Sequence, residues 1–423
     1  MCIVLSLSLH DNQFISSPFP LRIVLEKLTS YDSWLEYYQY KNNNKFVKEC
    51  DKNALFNFVN NLEYYEISKK IVDGSYVFSH PKKHIINKHS SNKKRIVYIF
   101  KDDEMMILKY ISYLLYKYDN LFENNLYSFR KNISIKDAVN SLRRIKNLSK
   151  MYGFKLDISN YFNSINPTIL LDNLKKDVDE DFYLFSKKIL LDEYVIDNDK
   201  LISEKKGVLA GSPISSFYAN YYIREIDSYF KNEKVFYIRY ADDIIIFSNT
   251  KEELDVYIDK LTKLLKKYKL SINEDKVKYF KPNDNIEFLG FEFRKNEINL
   301  TNHTILKMKS KIKRSARSYR RWIKRKNLYP FVALKSMIKK YNHKFFGSDN
   351  NELSWKYWFF PIITKHDRLN EIDKYLQDNL RFVYTGKHNK RNLEKVPYSM
   401  LKDLGYKTLV NEYYLFLDMI NKV

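Results

Sequence analysis

The chain has 423 residues, long enough for two or three domains, and a hydrophobic fraction of 44% with 16% aromatics excludes a largely disordered protein. Only 8 Gly and 9 Pro argue for a helix-rich fold, and a formal charge of +23 makes a polyanion the natural partner, either nucleic acid or an anionic membrane surface. The membrane is the weaker choice, since no apolar run approaches the roughly 20 residues that a span requires, while Cys2 and Cys50 are too few for a disulfide framework or a four-ligand zinc site. The opening "MCIVLSLSL" lacks the basic leader of a secretory signal and reads as a short strand or an irregular start, so a cytoplasmic protein is expected.

From about residue 21 to residue 68, apolar side chains recur at helical spacing and predict two or three helices. A basic stretch, "HPKKHIINKHSSNKKRIVYIF", ends in a strand-like run at residues 96–100. Helix returns in "DDEMMILKYISYLLYKY", whose leading acids suit the helix dipole, and in "SIKDAVNSLRRIKNL", where Ser134 and Asp137 are spaced as a capping box. "YGFKLDISNYFNSI" begins as a strand that ends at Asp157. "GVLAGSPISSFYANYYIREIDSYF" opens on the densest glycine cluster and runs into a long helix. A helix over residues 251–268 follows, then "LSINEDKVKYF" and "NIEFLGFEFRKNEINL", read as a strand and a hairpin, and helix almost throughout after Thr301. No repeat is visible, and the composition changes near residue 300.

Between these elements lies "VFYIRYADDIIIFS", two strand-forming runs of β-branched and aromatic residues that pivot on Asp242 and Asp243. An isolated Asp-Asp pair is ordinarily a solvated turn. Asp157 changes that reading, because it too ends a strand-like run. If the two strands are neighbours in an antiparallel sheet, three carboxylates converge at one edge, and such a cluster is costly unless cations neutralise it. Hard oxygen ligands suit Mg²⁺, which binds few protein carboxylates and completes its shell from phosphates and water. Two such ions can activate a 3′-hydroxyl and stabilise a leaving pyrophosphate. The reading fails if Asp157 lies far from the hairpin tip, or if a lysine takes the place of the ion.

With "RYADD" in an apolar hairpin, preceded by "LDISNYF" and "GVLAGSPISSFYANYYIREID" and followed by "LSINEDKVKYF" and "FLGF", the chain resembles the bacterial reverse transcriptases over roughly residues 81–300. The resemblance implies an α+β right-hand polymerase of fingers, palm and thumb with a helical C-terminal extension. The expected domains are an N-terminal helical region at 1–75, fingers and palm at 76–300, a basic thumb-like region at 301–345 and an extension at 346–423. Asp157, Asp242 and Asp243 would match the metal-binding catalytic aspartates of the palm. Phe162 falls at the aromatic gate that excludes a ribose 2′-hydroxyl, because a ring packed against C2′ leaves no room for an oxygen. Lys88 and Arg95 match fingers residues that meet the incoming triphosphate. Gly211 and Ser212 would let backbone approach the nucleotide, Lys276 would lie near the leaving phosphates, and Leu289 and Gly290 would form the primer-grip turn. "YSFRKN" resembles a further block of the bacterial members.

Departures narrow the subgroup. Many relatives carry Pro-Gln where this chain has Leu209 and Ala210, and the retron-type Asn-Ala-x-x-His block, endonuclease, maturase and ribonuclease H segments are not evident. What remains resembles the compact defence-associated, abortive-infection reverse transcriptases.

In "TILKMKSKIKRSARSYRRWIKRK", Ile305, Met308, Ile312, Tyr319 and Trp322 form one stripe that should pack on protein. Lys309, Lys311, Lys313, Arg314, Arg317, Arg320, Arg321, Lys324 and Arg325 occupy the remainder, with Lys313, Arg314, Arg317, Arg320, Arg321 and Lys324 the expected nucleic-acid contacts. A charge run is usually a solvated face, but the scarcity of acids here leaves these cations without internal partners and favours phosphate. The C-terminal aromatics read as core, and the histidines show no metal-ligand spacing. The expected activity is RNA-directed DNA synthesis from dNTPs with two Mg²⁺ ions. Its expected partners are an RNA template or non-coding RNA, a DNA product, and a second copy or a partner defence protein, with no membrane. Alternatives are untemplated or protein-primed DNA synthesis on the same palm, and an inactive RNA-binding assembly protein.

Overall fold

The computed structural model describes residues 23–44, 47–87, 94–205, 207–295, 297–347 and 354–421. Lys88 and the opening "MCIVLSLSL" lie outside them. The N-terminal region holds the helices Tyr31–Asn42, Glu49–Asn60 and Tyr65–Val72 after a short turn of helix at Ile23–Glu26, one more than expected. Trp34 organises it: the indole N–H donates to the Leu28 carbonyl at 2.7 Å, and its ring lies 4.1 Å from that of Tyr110 on the helix Asp102–Leu115. A large aromatic with a satisfied polar tip can be buried entirely.

Eleven strands are described: β1 Lys82–Asn87, β2 Lys94–Ile99, β3 Tyr152–Asp157, β4 Tyr194–Asp197, β5 Lys200–Ser203, β6 Phe236–Tyr240, β7 Asp243–Ser248, β8 Lys278–Phe280, β9 Ile286–Phe288, β10 Phe291–Arg294 and β11 Glu297–Leu300. They form three sheets, ordered β2-β1-β4-β5, β6-β7-β3-β8 and β11-β10-β9. The β4–β5 hairpin was not expected, although its signal was present. Asn198 and Asp199 both take positive φ, the two-residue turn whose twist matches paired strands.

The middle sheet is antiparallel throughout and covered on both faces. Side chains alternate along a strand, so Ile244 and Ile246 of β7 enter one core with Phe154 and Leu156, while Ile245 and Phe247 enter a second with Ile238 and Phe280. That double burial is why "DIIIF" is continuously apolar rather than alternating.

Three elements differ from expectation. The helix after the glycine cluster breaks at Ile223, whose φ of −117° and ψ of 24° divide it into Ser215–Tyr222 and Arg224–Asn232. The break turns Asp227 inward, where it is fully buried against β6. The stretch "NIEFLGFEFRKNEINL" forms three strands, not a hairpin, because Gly290 at φ +88° allows a second tight turn. In "LSINEDKVKYF" only β8 is strand, preceded by a 3₁₀ turn at Glu274–Lys276.

After β11 come the helices Asn302–Lys326, Pro330–Phe346, Asp367–Thr385 and Leu409–Asn421. Ile305, Met308 and Ile312 are buried as the stripe required, with Tyr319 and Trp322 packed at its edge, and Trp355, Phe360 and Tyr413 are core. This second core includes β9, β10 and β11, so the third sheet packs with the helices that follow it. Among the described residues no helix is long and apolar enough to cross a membrane.

Candidate active site

In the sheet register Asp157 pairs directly with Asp243, so their Cβ atoms stand about 5 Å apart on one face. Tyr240 also pairs with Asp243, leaving Ala241 and Asp242 as the two-residue tip of the β6–β7 hairpin. The Ile158 N–H donates to the Asp242 carbonyl at 3.0 Å, which ties the tip to the end of β3. Two distant segments thus deliver three carboxylates to one edge.

The tip is held from behind. Ala241 takes a positive φ of 56°, and its N–H donates to the Ser128 hydroxyl at 2.8 Å. Ser128 is itself bracketed by Asn220, whose amide donates to the Ser128 carbonyl at 2.8 Å. Below the tip, Arg239 and Asp227 form an ion pair with both side chains 0% exposed, and the Tyr237 hydroxyl donates to Asp227 at 2.9 Å. None of these supports had been assigned a role from sequence. The available signal was an arginine inside the apolar run "YIRY", since a charge buried there demands a partner.

The electrostatics are unequal. Burial, then the charges of Asp157 and Asp243, push the Asp242 carboxyl up to about 6. Lys155 Nζ lies 3.3 Å from Asp243, and Lys276 Nζ donates to Asp157 at 2.6 Å, joined by the Asn273 amide at 3.3 Å. A lysine therefore does contact the first aspartate. It is 52% exposed on a 3₁₀ turn, against 8% for Asp157, and it does not cancel the repulsion on Asp242.

Among the described residues, no three carboxylate, imidazole or thiol groups close into a ready-made metal cage. The donor set nonetheless fits a hard divalent cation: clustered carboxylate oxygens, one of them pushed up by burial and then by its neighbours, with phosphates and water left to supply the remaining ligands.

The other sequence candidates are dispersed around this edge. Phe162, on the short helix Tyr161–Ser164, meets the ring of Phe129 edge-on at 5.9 Å. Gly211, at φ +110°, makes its close approach to β2, where a Cβ would lie 2.9 Å from the Tyr98 carbonyl, and Ser212 buries a hydroxyl with no partner. In place of Pro-Gln, Leu209 takes a positive φ and its carbonyl accepts from the Ser215 hydroxyl at 2.7 Å. Arg95 is exposed on β2 opposite Ile86. The Gly290 carbonyl accepts from the Thr301 N–H at 3.0 Å, fastening the Leu289 and Gly290 turn to the start of the basic helix.

On that helix Lys313, Arg314, Arg317, Arg321 and Lys324 are exposed. Arg314, Arg321, Arg325 and Lys340 line clefts against Pro330–Phe346. Arg320 is used internally instead: it donates to the Val383 carbonyl at 3.0 Å, near the end of the helix Asp367–Thr385.

Residues 86–293 match the family model described as reverse transcriptase (RNA-dependent DNA polymerase). The chain carries a reverse transcriptase domain. Among curated proteins it is similar to the retron Ec83 reverse transcriptase of Escherichia coli, 30% identical over 179 residues, which is 39% of this chain and 53% of that protein. The chain thus matches about half the length of that relative. Among solved structures it is similar to an apo telomerase from Candida tropicalis truncated from its C-terminal domain, at 14% identity and TM-score 0.44 over 53% of this chain and 55% of that one. It is also similar to a telomerase from Candida albicans in complex with a fragment of telomeric RNA, at 14% identity and TM-score 0.42 over 78% and 64%. The carboxylate edge, from β3 to the β6–β7 hairpin and Lys276, lies within the reverse transcriptase domain, and the architecture is the right-hand polymerase, its palm the antiparallel β6-β7-β3-β8 sheet.

Proposed function

We propose that the protein is an RNA-directed DNA polymerase that extends a 3′-hydroxyl with deoxynucleotides. The observation that carries the reading is the register that sets Asp157 opposite Asp243, beside an Asp242 whose carboxyl is pushed up by burial and then by these two charges. Asp157, Asp242 and Asp243 would hold Mg²⁺, which would supply activation of the attacking hydroxyl and charge stabilisation of the leaving pyrophosphate. Lys276, half exposed and on a turn, would exchange Asp157 for a triphosphate oxygen. Lys88 and Arg95 would bind the triphosphate from the fingers, Gly211 and Ser212 would line the nucleotide, and Phe162 would close the space that a 2′-hydroxyl needs.

Lys313, Arg314, Arg317, Arg321 and Lys324 would grip the template and product backbones, their open phosphate-facing side being supported by their exposure. An associated non-coding RNA, a defence role against phage and a cytoplasmic location follow from the resemblance to the defence-associated bacterial enzymes. A second copy or a defence protein would complete the assembly.

The test is primer extension on RNA with dNTPs and Mg²⁺. Asp242→Asn should lower synthesis about a thousandfold or more, the several kcal/mol that metal-held charge contributes, while RNA affinity stays within twofold. Unchanged synthesis would remove the site assignment. Product that remains attached to protein after denaturation would instead favour protein priming.

A further inference from the structure

Phe129 is the only aromatic among the described non-glycine residues with positive φ, at 55°. That backbone region favours Gly or Asn, and a bulky side chain there is held against strain. The residues on either side explain how it is held. Ser128 is fully buried between Asn220 and the Ala241 N–H at the catalytic hairpin tip. Arg130 donates to both carboxylate oxygens of Asp119 at 2.8 Å and to the Glu123 carbonyl at 2.8 Å. Between these anchors the chain presents Phe129 outward, 40% exposed, with its ring edge-on to Phe162. Behind it lies a cleft of about 110 Å³ lined by Tyr116, Phe122, Pro213 and Phe217. Pro213 directly follows the buried, unpartnered Ser212 hydroxyl.

We propose that Phe129 is a positioning residue for sugar discrimination: its strained presentation props the ring of Phe162 and denies it the cleft behind. This rests on the reading of Phe162 as the gate of a DNA polymerase. Without the prop the gate ring can retreat, and the space that excludes a ribose oxygen opens. The hairpin tip and the prop share the Ser128 anchor, so the gate is registered to the carboxylates through one backbone segment.

The test exploits the backbone. Asn fits a positive φ, so Phe129→Asn should leave the thermal midpoint unchanged or raise it while removing the ring. With dGTP or GTP on a poly(rC) template and an oligo(dG) primer, Phe129→Asn should lower the ratio of kcat/KM for dGTP over GTP about three- to tenfold, the size of one ring pair. Phe129→Tyr, which keeps the ring, should retain the native ratio. A native ratio in Phe129→Asn, with dGTP still incorporated, overturns the inference alone. A fall in thermal midpoint together with activity assigns Phe129 to folding and also overturns it. No incorporation by the unsubstituted protein with Mg²⁺ brings down the polymerase reading, and this inference with it.

Discussion

Asp227 and Asp242 both sit against the β6–β7 hairpin, yet they are treated in opposite ways. Asp227 is fully buried and fully answered, by the Arg239 guanidinium and the Tyr237 hydroxyl. Asp242 is largely buried beside two further carboxylates, and its acidity is weakened in consequence. Burial alone does not separate a structural carboxylate from a functional one; the partner does. A buried ion pair that answers the carboxylate's charge fixes geometry, even though Arg239 Nη1 is buried without a hydrogen-bond partner. A carboxylate left repelled stores an affinity for a cation that only a ligand can satisfy.

The comparison breaks most visibly at the paired site. Asp227→Ala should cost about 3–5 kcal/mol in urea denaturation, because Arg239 would be left buried and uncompensated. The opposite sign is expected at the tip. In metal-free buffer at pH 7.5, Asp242→Asn should stabilise the protein by up to about 3 kcal/mol, since the folded carboxyl titrates near 6 rather than in its ordinary range. The sign sets the pH window: a raised carboxyl pKa means that the folded state holds its proton more tightly, so the penalty exists above about pH 6 and fades toward pH 4. The advantage of Asp242→Asn should shrink accordingly, and Mg²⁺ should raise the thermal midpoint of the unsubstituted protein more at pH 7.5 than at pH 5.5. Equal shifts at the two pH values would disconnect Asp242 from cation binding.

The same distinction sorts the basic helix, with smaller effects. Arg320→Ala should cost about 1 kcal/mol of stability, because a carbonyl near a helix end loses its donor. Arg317→Ala should change stability by less than about 0.5 kcal/mol and instead reduce the salt dependence of RNA binding by about one ion, read from the slope of affinity against salt. Identical behaviour of the two variants would erase the division between an internal and an outward-facing arginine.

Much of the carboxylate edge was legible in the residues. Runs of β-branched and aromatic residues ending in Asp157 and pivoting on Asp242 announced strands and a turn, because strand propensity and turn chemistry are local. The stripe of Ile305, Met308 and Ile312 was equally local, a matter of helical spacing. What escaped notice depended on contacts between segments far apart in the chain. Arg320 looked like its neighbours until the end of another helix claimed it, and Ser128 was one hydroxyl among many until the hairpin tip donated to it. The kink at Ile223 likewise has no local marker; it follows from the need to bring Asp227 to Arg239.

By itself the sequence determined that this protein is basic and helix-rich, with an apolar hairpin carrying two acids and an earlier strand carrying a third, because composition and periodicity are properties of neighbours in the chain. Only the tertiary structure decided that Asp157 faces Asp243, which arginine is answered and which carboxylate is not. Register and burial arise when distant segments meet, and partners in space rather than in order set the charge that each group can hold.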